Sequence, residues 1–175
     1  MITFTSAQLD AWVAAFIFPL ARILALMATA PVFNSAGMPA RARLMAGLAI
    51  AVGLAPALPP MPSVPAGSWV GLVIVAQQVV IGVAIGFTLR LVFAAVDMAG
   101  ELIGLQMGLS FAVFYDPQNA AQTPVLSEFL GLITTLLFLA MNGHLLTLSV
   151  LAESFSLLPI SATPLAAKGF GALVA

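Results

Sequence analysis

Arg90, Asp97 and Glu101 are spaced seven and four residues apart in a chain that is otherwise almost free of charge. On one continuous helix these spacings place all three on a single face, with Asp97 and Glu101 as close neighbours. Such a set could serve as a charged relay or ion path through an apolar medium. It could equally be a salt bridge that fixes packing, within the chain or between subunits, and the near balance of one arginine against two acids favours packing. Arg22, Glu128, Asn142, His144 and Glu153 also interrupt apolar runs. A charge at the bilayer centre costs about 2.5–3.5 kcal/mol even on the insertion scale. These groups are therefore expected to face partners, water or each other, with Arg22, Arg90, Asp97 and Glu101 forming an intramembrane charge network.

Catalytic patterns are thin. His144 is the single histidine, and a zinc site or charge-relay pair needs a second strong ligand or a nucleophile, which no spacing supplies. Asn142-Gly143-His144 reads instead as a turn or helix break. Ser110 lies in GLS rather than a GxSxG elbow, and Walker and Rossmann glycine patterns are missing. The expectation is a non-enzyme with no cofactor and no metal. Two rivals remain: a small-solute or proton transporter subunit working through Arg90, Asp97 and Glu101, and an intramembrane hydrolase using Ser110 and His144.

Composition explains why these few polar groups carry so much weight. The chain is 62% hydrophobic and 6% charged, with a mean hydropathy of +1.17. A water-soluble domain carries about 25% charged residues, so this inventory builds a membrane protein. Five basic residues scattered along 175 positions exclude the clustered Lys and Arg of a nucleic-acid partner surface. With no cysteine, disulfides, thiolate metal sites and cysteine nucleophiles are excluded as well.

The elements that must position these residues follow from counting apolar runs against the roughly 20 residues a span requires. Trp12 to Phe33 is the first run; it contains Pro19 and Arg22, and without a basic segment before it, it reads as a retained helix rather than a cleaved signal. A polar loop with Arg41 and Arg43 follows, then a short run, Leu44 to Leu58. Pro56, Pro59, Pro60, Pro62 and Pro65 form a stiff extended linker. A third run, Trp69 to Val96, holds Gln77 and Gln78, which are expected to form helix–helix hydrogen bonds, and the pair Gly82 and Gly86. A fourth covers Met98 to Tyr115 and ends in an Asp116-Pro117-Gln118-Asn119 turn. The fifth is Val125 to Leu151, broken at Asn142-Gly143-His144. The two arginines of the first loop place that loop in the cytoplasm and the N-terminus outside. Gly169 to Ala175 reads as a helix just begun, so a C-terminally truncated last element is expected.

Within the fourth run Gly100, Gly104 and Gly108 recur every four residues and line one side of a helix, a close-packing surface alongside Gly82 and Gly86. Directly after it come the bulky Phe111, Phe114 and Tyr115. Met107, next to Gly108, is the methionine whose soft side chain suits repacking around a passing ligand.

The pattern E-x-x-G-x-Q-x-G-x-S-x-A leading through aromatics to D-P, here Glu101 to Pro117, resembles the FliR/SctT family of type III export-gate proteins, in its flagellar branch. Matching segments include Ser6 to Trp12, Pro19-x-x-Arg22, Ala30 to Phe33, Pro39-Ala40-Arg41, Asn142-Gly143-His144, and Ser154-Phe155 leading to Leu158-Pro159-Ile160. The resemblance implies an all-α integral membrane protein: FliP-like helical hairpins over 1–160, then the start of a FliQ-like hairpin over 161–175. It implies FliP, FliQ, FlhB and FlhA as partners at the flagellar basal body in the bacterial inner membrane, in contact with membrane lipid. Unfolded flagellar export substrates would pass through the shared pore. It also implies a pore plug near 106–119, made by Gln106, Met107, Gly108, Leu109, Ser110, Phe111, Ala112, Val113, Phe114, Tyr115, Asp116 and Pro117. The family runs on for further tens of residues, so contacts of the FliQ-like hairpin fall largely beyond this chain.

Overall fold

A computed structural model describes residues 5–34, 38–58, 64–109, 113–116 and 121–161. Helix α1 is Ser6–Thr29, α2 Ala40–Leu54 with a single 3-10 turn at Ala55–Ala57, α3 Trp69–Gln106, α4 Val125–Ala140 and α5 Gly143–Leu157. Between α3 and α4 lie two short strands, β1 (Val113–Asp116) and β2 (Ala121–Pro124). Among the described residues the protein is thus all-α apart from this one strand pair. Among the described residues, α1, α2 with its 3-10 turn, and α3 are long and apolar enough to cross a membrane, with mean hydropathies of 2.0, 1.3 and 2.4.

Local chemistry sets the helix ends. The Gln8 side chain accepts from the Thr5 N–H at 3.1 Å and fixes the start of α1. Ser68 caps α3, its hydroxyl accepting from the Gly71 N–H at 3.0 Å. The apolar runs counted over Trp69 to Val96 and Met98 to Tyr115 share one helix of 38 residues, which passes through Asp97 and ends at Gln106. Asp97 lacks the helix-breaking power of Gly or Pro, so nothing stops the turn there. The stop comes at Gly108, whose φ is +71°. Its N–H bonds the Leu105 carbonyl at 3.1 Å and the Leu109 N–H bonds the Gly104 carbonyl at 3.0 Å, a Schellman termination. Gly108 therefore stands outside the helix rather than on its packing stripe.

The aromatic continuation expected as helix is strand: β1 pairs antiparallel with β2, Val113 opposite Pro124 and Asp116 opposite Ala121. Of the turn expected at Asp116 to Asn119, only Asp116 is described; Pro117 to Asn119 lie outside the described residues, as do Ser110, Phe111, Ala112, the linker prolines 59–62 and the stretch 162–175.

Helices α1 and α3 run parallel, with α2 packed on α1, whereas α4 returns antiparallel along α3. Phe93 and Phe138 meet edge to face across α3 and α4 with centroids 5.8 Å apart. The break expected at Asn142-Gly143 bends α5 by 66° from α4. Asn142 supplies it, adopting the left-handed region at φ 57°. The bend brings Leu151 and Phe155 into the core beside Phe18, Ile23, Leu26 and Ile74, all at most 1% exposed.

Candidate functional site

The largest fully buried side chain among the described residues is a cation. Arg22 is fully enclosed in the middle of α1. Its Nε donates to Gln78 Oε1 of α3 at 2.8 Å, and Nη2 donates to the same oxygen. Nη1 donates to the Ser154 carbonyl at 2.8 Å and to Ser154 Oγ at 3.0 Å, and Nη2 donates to the Leu158 carbonyl at 2.9 Å. All five donors of the fork are thereby used. The guanidinium carbon lies 4.1 Å from the centroid of the Phe155 ring. No carboxylate pairs with it among the described residues. Its charge is met by one amide, one ring face and the carbonyls that close α5, where the helix dipole is negative. Gln78 makes the helix–helix hydrogen bond its position suggested, and that bond aims its Nε2 at a spot with no partner.

Around this hub the helices touch through glycine. A Cβ on Gly82 would press on the Arg22 carbonyl and come within 2.8 Å of Ala25 Cβ; one on Gly86 would overlap Thr29. Only the bare backbone lets α1 and α3 approach this closely. Gly100 does the same against α4, where an added Cβ would come within 2.6 Å of Ser127 Cα, and Ser127 Oγ donates to the Asp97 carbonyl at 2.7 Å. A Cβ on Gly104 or Gly108 would meet nothing within 4 Å.

Arg22 does not sit with the other three charges expected to form its network. Arg90 and Asp97 instead line a groove of about 350 Å³ with Thr29, Pro31 and Asn34, beyond the end of α1. Arg90, Asp97 and Glu101 are exposed, and none makes an ion pair among the described residues. His144 opens α5 with Nδ1 buried and unpartnered. Among the described residues, no three of His, Asp and Glu gather closely enough to hold a metal ion. Of the expected plug, Gln106 ends α3, Met107 and Leu109 are exposed beside Gly108, and Val113, Phe114, Tyr115 and Asp116 form β1.

The sequence model for bacterial export proteins, family 1, matches residues 13–175. The chain belongs to that family. The chain is 46% identical over 173 residues to the flagellar biosynthetic protein FliR of Pectobacterium carotovorum subsp. carotovorum, covering 99% of this chain and 66% of that one. It is 44% identical to FliR of Escherichia coli over the same shares. To FliR of Bacillus subtilis it is 30% identical over 146 residues, 83% of this chain and 56% of the relative. The chain thus spans about two-thirds of the length of the first two of these relatives.

Sequence reasoning paired Arg22 with the wrong residues. Its true partners lie 56 to 136 positions away. The available signal was the order Pro19-x-x-Arg22, a buried-grade run around it, and two adjacent glutamines on another run needing a donor.

Proposed function

We propose that this chain is a non-catalytic subunit of the flagellar type III protein export gate, built into the inner membrane with FliP and FliQ, and in contact with FlhB and FlhA. Membership of the export family and likeness to FliR proteins support the reading. The observation that carries it is the surface of α3. Its 38 residues extend about 57 Å at about 1.5 Å per residue, almost twice the roughly 30 Å hydrocarbon thickness. Leu91, Met98, Leu102 and Leu105 are each more than half exposed beside unpaired Arg90, Asp97 and Glu101. Lipid does not suit those charges and water does not suit that apolar area, whereas neighbouring subunits suit both.

The hairpin between α3 and α4 fits the pore-plug role of residues 106–117. Two four-residue strands are marginal on their own, so they gain order from what surrounds them. Unfolded flagellar substrates would then displace it. Replacing 108–113 with a short flexible linker is expected to raise ion leak in cells carrying the assembled gate. Unchanged leak together with unchanged secretion would refute the plug.

A further inference from the structure

The sheet between α3 and α4 has two strands and therefore two outer edges. Strand β2 lies against α3 and runs straight into α4 at Val125, whereas β1 is held chiefly by its pairing with β2. Among the described residues no third strand flanks β1. Pro124 has no N–H to give, which suits a non-hydrogen-bonded pair with Val113 opposite it. Pair types alternate along an antiparallel ladder, so Phe114 with Thr123 and Asp116 with Ala121 are then the hydrogen-bonded pairs. That register turns the N–H and C=O of Val113 and Tyr115 away from β2, onto the outer edge. Edge strands are normally blunted by proline, lysine or an inward-pointing charge. Strand β1 has no proline and no lysine, and its one charge is Asp116 at the end. The seven residues Leu109 to Tyr115 contain neither charge nor proline, and Val, Phe and Tyr are strong strand formers. Such composition marks a segment suited to pairing with another extended chain.

We propose that β1 is a docking strand for extended polypeptide: an unfolded segment of cargo adds beside it as a third strand, held by main-chain hydrogen bonds from Val113 and Tyr115. The inference rests on the export reading, and it adds how cargo is met and by which residues. Main-chain pairing chooses the occupant. It requires free backbone N–H and C=O groups repeating at strand spacing, about 3.3 Å per residue, which any unfolded chain presents. A lipid has no such repeat, and a helix spends these groups on itself. Pairing through the backbone also ignores side chains, as a conduit for many sequences requires. Two outward-facing residues make a short ladder, so the cargo is held briefly and can move on.

The test uses the full-length protein assembled with FliP and FliQ in a cysteine-free background, with one thiol introduced by Phe114→Cys. Cargo stalled in the gate by a folded C-terminal domain carries a single cysteine, moved one position at a time along the stalled segment. Disulfide yield is read after mild oxidation. Strand addition should make the yield alternate along the cargo, neighbouring positions differing at least about threefold, because only every second residue turns its Cβ to the same face. Moving the thiol with Tyr115→Cys should shift the alternation by one cargo position. Yields that follow a helical period, or that do not vary, overturn the inference, and so does an alternation that Tyr115→Cys leaves unshifted. A photo-crosslinking amino acid at position 114 that reacts only with another gate subunit while cargo is stalled also overturns it, because a resident strand then holds the edge. Stalled cargo that meets neither thiol at any position overturns it too and leaves the export reading standing. Cargo that never enters the assembled gate removes both.

Discussion

Arg22→Met isolates the hub that ties α1, α3 and the end of α5 together. The substitution keeps an unbranched side chain of similar length and removes all five donors. Ser154 is partly insulated from the loss: its carbonyl also receives the Leu158 N–H at 3.0 Å, and its hydroxyl donates to the Leu151 carbonyl at 2.6 Å. Gln78 is not. Among the described residues Arg22 alone donates to its Oε1, and its Nε2 is already unpartnered, so the variant leaves a whole amide buried and unsatisfied. Removing one member of a buried charged network costs about 3–5 kcal/mol, and release of the guanidinium from its own desolvation returns part of that. The expected net loss is about 2–4 kcal/mol, or a thermal midpoint roughly 4–16 °C lower for a chain of this size. The assay is thermal denaturation in detergent micelles, read as the monodisperse fraction surviving each temperature. Adding Gln78→Leu removes the orphaned amide and should restore about 1–3 kcal/mol to the Met variant. An Arg22→Met protein as stable as the original would refute the argument, and so would a double variant less stable than the single one.

Two further outcomes follow from the backbone. Gly82→Leu should force α1 away from α3, because even its Cβ presses on the Arg22 carbonyl; we expect about 1–3 kcal/mol of destabilisation by the same assay, with Val83→Leu on the neighbouring exposed position nearly silent. Gly108→Val should cost about 1–2 kcal/mol by placing a β-branched residue at φ +71°, while Gly108→Asn keeps most of the stability. Hydrogen exchange of the 105–109 amides reads this directly, since the Val variant should lose the slow exchange of the Gly108 and Leu109 amides.

The one-dimensional features of the fold were legible in the residues. Apolar runs gave the helices because a span needs length and little else, and Asn142-Gly143 announced the bend because only a few residue types tolerate its dihedrals. Gly82 and Gly86 could be read as a contact, though which helix they met could not. Asp97 misled, since a charge within an apolar run resembles a boundary while costing the helix almost nothing locally. Gly108 misled for the opposite reason: four-residue spacing made a terminator look like a member of the stripe. The strands carried a signal of their own. Val-Phe-Tyr-Asp and Ala-Gln-Thr-Pro flank the Pro- and Asn-containing segment PQNA, and β-branched and aromatic residues around turn-forming residue types favour a hairpin. The Arg22 partners left only a hint in residue type, a cation in one apolar run and adjacent glutamines in another, because hydrogen bonds across 56 and 132 positions leave no periodic trace.

The clamp on Arg22 also sets a schedule for biogenesis. The last carbonyl that holds it belongs to Leu158, 136 residues downstream. At about 5–20 residues per second, the ribosome needs roughly 7–27 s to deliver that carbonyl after Arg22 has emerged. For that interval α1 carries a cation whose full set of acceptors does not yet exist, Gln78 arriving first and the carbonyls of Ser154 and Leu158 last. Its first helix must wait at the membrane–water boundary, or borrow acceptors from the insertion machinery, until α5 folds back to receive it.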